Sequence, residues 1–156
     1  MEFFVDNRNV IKNFAFNTGT SQNPVFTTAC TATELALNTD FTEQTFMVFC
    51  DAIQRSVKTG VALELSGTIK IDVNNSAIRK VLGDIHTLLT AGTITQFNNQ
   101  LVQFELLTGV NNSVLEYTKY QVAVSYSLES LGGAAEDVAE FAISMKLNGT
   151  GTTVSA

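Results

Sequence analysis

Val61–Val73, "VALELSGTIKIDV", alternates for thirteen positions, with apolar residues or glycine at odd numbers and Ala, Glu, Ser, Thr, Lys and Asp at even ones. Strict period-2 alternation predicts a β-strand with one dry and one wet face. At about 3.3 Å per residue the stretch would run roughly 43 Å, far beyond the five or six residues of an ordinary strand. Upstream, "TFMVFC" from Thr45 is apolar on both phases, so this preceding strand is expected to be covered on both faces. Between the two patterns, Thr59-Gly60 reads as a hairpin turn.

Downstream, Ile78, Val81, Leu82, Ile85, Leu88 and Leu89 recur at helical spacing. Asn75 or Ser76 suits the N-cap and Gly92 the stop, which predicts a helix over Ser76–Thr90. Three strand-like segments follow, Phe97–Leu107, Leu115–Glu129 and Val138–Asn148. The last two alternate cleanly and are joined by "ESLGGAAED", too long for a two-residue turn. By contrast Asn17–Asp40 has turn formers at both ends and weak periodicity, which reads as a long, partly irregular loop. The small, polar tail from Gly149 to Ala156 is expected to fray. The 156 residues, 45% hydrophobic and 15% charged, suit a single β-rich domain spanning 1–156 that buries its core without metal or disulfide.

Composition excludes several function classes. A net charge of −6 with only nine basic residues argues against general nucleic-acid binding, which draws its affinity from Lys and Arg on phosphates. The sequence holds no apolar run of membrane-spanning length, and "MEFFVDNRNV" lacks a signal-peptide core, so a cytoplasmic site of synthesis and no membrane are expected. Cys30 and Cys50 lie far apart, which favours buried free thiols over a disulfide or a thiolate metal site. His86 is the single histidine and falls on the polar edge of the helix, so neither a catalytic triad nor a His-based metal site has enough parts. Glu136, Asp137 and Glu140 read as a solvated loop, and "LGG" and "GTG" lack the lysine and context of a phosphate loop. Asn74, Asn111 and Asn148 begin N-x-S/T triplets that carry no meaning without a secretory signal. Neither an enzyme nor a cofactor is expected.

Three stretches together carry a family resemblance: "FCDAIQRSVKTGVALELSGTIKIDVNN", "VLGDIHTLLTAGTITQFNNQLVQFELLTGV" and "LEYTKYQVAVSYSLESLGGAAEDVAEFAISMKLNGTG". In the order of strand, long strand, helix and paired long strands, they resemble the tail tube proteins of tailed bacteriophages and phage-like particles, over about Phe46 to Gly151. The resemblance implies a mainly β (α+β) fold, an antiparallel two-sheet sandwich with one flanking helix. It also implies a structural virion protein without cofactor. Six copies would form a ring, rings would stack into a tube, and DNA would pass through the channel. Implied partners are the chain itself and the tape measure, terminator and distal tail proteins, in a virion tail assembled in the bacterial cytoplasm.

Closing sheets from several subunits into one wide barrel removes the edges that make a long sheet prone to aggregate, and it gives Val61–Val73 a reason to be long with one wet face. Channel-lining candidates are Glu64, Ser66, Thr68, Lys70, Asp72, Gln121, Ser125 and Ser127. Subunit-interface candidates are Phe46, Met47, Val48 and Phe49. Two other readings fit the same residues. One is the inner tube of a contractile injection machine or bacteriocin, the other a monomeric ligand-binding sandwich or lipocalin-like barrel.

Overall fold

The computed structural model of the chain describes residues 4–50 and 52–154. In chain order its strands are β1 (Ile11–Asn17), β2 (Phe26–Thr28), β3 (Ala32–Phe46), β4 (Arg55–Lys70), β5 (Gln100–Asn111), β6 (Val114–Leu131), β7 (Glu140–Leu147) and β8 (Thr152–Val154). One helix, α1 (Ser76–Ala91), lies between β4 and β5. Every strand pair is antiparallel, in the order β2-β1-β5-β6-β7-β4-β3, with β8 also against β6.

β6 makes this one curled sheet with two faces in contact. Its first half, Val114–Val124, pairs with β5, and its second half, Val124–Leu131, pairs with β7. Phe14 and Phe16 of β1, Val102 of β5 and Val124 and Tyr126 of β6 share one buried cluster with Leu65 and Ile69 of β4 and Phe141, Ile143 and Met145 of β7. Residues 29–31 hold the curl closed. The Ala29 amide donates to the Phe14 carbonyl (2.8 Å), and the Lys70 amide to that of Thr31 (3.1 Å). This is the expected mainly β fold with one helix, the two layers of the sandwich being halves of a continuous sheet.

α1 forms as its sequence dictates. The Asn75 side chain accepts from the Ala77 amide (2.9 Å) and donates to the Thr28 carbonyl (2.9 Å), capping the helix and tying its start to β2. Gly92 stops the helix at φ 68°, a left-handed conformation that glycine adopts without side-chain strain. Of the predicted apolar stripe, Ile78 and Val81 are fully buried, Leu82, Ile85 and Leu88 are half-buried, and Leu89 is 80% exposed.

Several expectations need correction. Asn17–Asp40 is irregular only at 18–25 and 29–31, because the rest of it is the end of β1, β2 and most of β3. Its periodicity is weak because only Ala29, Ala32, Leu35 and Leu37 meet the core, at irregular spacing, while the rest of β3 is held by pairing to β4. Thr59-Gly60 is no turn. Gly60 pairs with Thr42 and Lys58 with Glu43, so Thr59 is a bulge inside β4 whose hydroxyl donates to the Thr42 carbonyl (3.3 Å). The hairpin turn instead falls between Phe46 and Arg55, where the apolar "FMVFC" was expected to be covered. β4 ends at Lys70, not Val73, because Asp72 accepts from the Asn74 amide (3.0 Å) and turns the chain. Cys30 and Cys50 are exposed free thiols, not buried ones. The tail contributes β8, paired with Lys119–Gln121.

Candidate polar channel face and protruding arm

Register decides which side chains share a face. Across β3, β4, β7 and β6 the facing rows are Asn38–Glu64–Lys146–Ser125, then Ala36–Ser66–Ser144–Ser127, then Glu34–Thr68–Ala142–Ser130. Lys70 and Glu140 close the series with an ion pair of 2.6 Å. Intervening residues such as Leu65, Ile69, Ile143, Met145 and Tyr126 point into the core. The resulting face carries hydroxyls, an amide, alanines, three acids and two lysines, and no aromatic ring.

Six of the eight channel candidates fall on this face: Glu64, Ser66, Thr68, Lys70, Ser125 and Ser127. Gln121 lies in the other half of the sheet, where it accepts from Gln103 (3.1 Å) and pairs with Thr152. Asp72 lies past the end of β4, exposed in the turn. Sequence reasoning left out Glu34, Asn38, Ser144 and Lys146. The alternation Phe141–Leu147 carries the signal for Ser144 and Lys146, whereas β3 offers none. Ser144 donates to Glu64 and is only 8% exposed, so Glu64 lies across the face and covers it. Asn148 donates to Ser125 (2.8 Å) at the face's edge.

Beyond Asn38 and Glu64, β3 and β4 pair only with each other and project as a two-stranded arm. Two-stranded hairpins are marginal alone in water. Here Phe41 and Val61 sit opposite each other and half-exposed, with Lys58 above Phe41 (5.4 Å) and paired to Glu43 (3.0 Å). The bulge at Thr59 shifts the parity of β4, so Val57 moves to the face that carries Glu64. At the tip Phe46, Met47, Val48 and Ile53 are exposed and Phe49 is wholly in solvent.

Elsewhere the chemistry is structural. Tyr126 donates to Asp84 of α1, which also accepts from Lys80 (2.9 Å). Burial, then the bond to Asp84, then the carboxylate charge hold the Tyr126 hydroxyl far above its ordinary value of 10.0. Among the described residues no three His, Cys, Asp or Glu side chains gather to hold a metal, and no helix is long and apolar enough to cross a membrane.

Comparison with solved structures places this architecture among particle tails. A chain from the tail of an empty gene transfer agent particle, determined with C6 symmetry, superposes with a TM-score of 0.55 at 8% identity, covering 97% of this chain and all of that one. The chain has the fold of a particle tail protein. A chain of an extracellular contractile injection system's sheath-tube complex matches at 0.52 and 9% identity over 91% and 89% of the two chains. One from the cap that terminates an anti-feeding prophage tube matches at 0.51 and 12%, over 99% and 94%. No family model and no curated protein sequence matches the chain.

Proposed function

We propose that this chain is the structural, non-enzymatic subunit of a phage-type tail tube. Copies close into six-membered rings, the rings stack, and the polar face of β3, β4, β7 and β6 lines a channel for DNA. The observation that carries the reading is the register. Four strands bring one continuous wet face into line on the side opposite the core, on a fold shared with particle tails.

Physical chemistry supports each part. Ring contacts within a cyclic oligomer are heterologous, and an axial contact that does not close on itself extends the rings into a filament. The outer edge of β3 carries no strand among the described residues, and pairing it with a neighbour removes an aggregation-prone edge. Phe46, Met47, Val48 and Phe49 at the arm tip are the subunit-interface residues, since apolar groups exposed together mark a surface that a partner covers. Glu64, Ser66, Thr68, Lys70, Ser125 and Ser127 line the channel. Such a wall offers DNA few cations and lets it slide.

The inner tube of a contractile injection machine is the second reading, favoured by the likeness to the sheath-tube complex and the tube cap. Both readings require self-assembly, whereas a ligand-binding sandwich is monomeric. Native mass spectrometry of the concentrated protein separates them from it. Multiples of six subunits are expected, and a monomer at every concentration overturns the proposal.

A further inference from the structure

The arm tip is an exposed apolar end, and the base of the same hairpin borders a groove. This groove of about 520 Å³ opens between β1 and the outer edge of β3. Ile11, Phe14, Ala29 and Leu35 give it an apolar floor, all buried or half-buried. Arg8 and Lys12 stand on one wall, with Glu34 as the single acid on the other. No described strand occupies the edge of β3 that borders the groove, so its main-chain groups remain open to an added segment.

We infer that the groove between β1 and β3 is the seat for the arm tip of a second copy of this chain. The inference rests on the tube reading and names the receiving surface that this reading lacks. Three observations select the occupant. The tip sequence Met47–Gln54, "MVFCDAIQ", presents Met47, Phe49 and Ile53 to solvent, the chemistry that an apolar floor accepts. The described tip residues, Met47–Cys50 and Ala52–Gln54, carry no charge that Arg8, Lys12 or Glu34 would repel. Finally, the groove is out of reach of its own tip. From Leu35 to Phe46 the arm runs eleven residues, roughly 36 Å at 3.3 Å per residue, so only another copy can supply the tip.

The chain's two cysteines report on this contact directly. Cys30 lies on the groove wall and Cys50 follows Phe49 in the tip, and both are exposed thiols. Disulfide formation needs Cα atoms within about 7 Å, which one extended arm forbids within a chain. Assembled tubes are treated with copper phenanthroline, which removes two electrons and two protons per bond formed. The products are resolved on non-reducing gels and mapped by mass spectrometry. A ladder of covalent multimers joined by Cys30–Cys50 bonds is expected, abolished by either Cys30→Ser or Cys50→Ser. Tubes that form normally but yield only Cys50–Cys50 bonds, only Cys30–Cys30 bonds or none overturn the groove assignment and leave the tube reading standing. Absence of tubes overturns both. As a second arm, Thr33→Trp, at an exposed position of the groove lining, is expected to leave the melting temperature of the free subunit within a few degrees and reduce tube yield at least tenfold. Undiminished yield counts against the groove.

Discussion

Tyr126 on β6 donates a hydrogen bond to Asp84 on α1, the same carboxylate that Lys80 reaches at 2.9 Å, so one acid clamps the helix to the sheet where the two halves of the core meet. Removing the hydroxyl leaves Asp84 a partner short in a mostly buried place. Tyr126→Phe is therefore expected to cost about 1–3 kcal/mol of stability, read by urea denaturation of the free subunit.

The same contact sets an alkaline limit. Folding raises the Tyr126 hydroxyl above its ordinary value of 10.0, chiefly through burial. The unfolded chain then loses that proton at lower pH than the folded one. The contribution is complete below pH 10 and declines as pH rises above it. Melting temperatures measured from pH 8 to 11 should fall more steeply for the parent protein than for Tyr126→Phe.

At the arm tip, Met47→Glu with Phe49→Glu places charge where a neighbour is expected to bury apolar surface. Both side chains are exposed in the single subunit, so its melting temperature should move little, by roughly 0.5 kcal/mol equivalent or less. Tube formation in electron micrographs should disappear. Normal tubes from this variant would remove the tip from the interface.

Wall charge is tested at Ser127 and Ser130, exposed positions on the polar face. Replacing both with Lys adds two cations per subunit around every ring. Tubes should assemble, and genome ejection should slow, most at low salt where the Debye length is longest. An unchanged ejection rate at low salt would mean that this face does not meet DNA.

What the sequence disclosed follows from where the core lies. Glu64–Lys70 was legible because Leu65 and Ile69 meet the core while Glu64, Ser66 and Thr68 do not, so the alternation there records a real boundary. β3 was not, since beyond Leu37 it protrudes with both faces exposed and no core imprints a period on it. Thr59-Gly60 imitates a turn because a bulge and a hairpin both favour a glycine, and only the register distinguishes them. The six face residues found from sequence sit on strands with one buried side. Gln121 lies off that face because β6 serves both halves of the sheet, and alternation alone does not tell which half a residue joins. Asp72 lies off the strand because its own side chain accepts from the Asn74 amide and turns the chain.

A helical reconstruction of the assembled protein by electron cryomicroscopy tests the central claim most directly. The expected map shows stacked rings of six subunits, with β3, β4, β7 and β6 around a hollow axis and Glu64, Ser66 and Ser127 facing it. A tube whose axis is lined by α1 or by the β5 half of the sheet, or a protein that yields only monomers, would contradict the account.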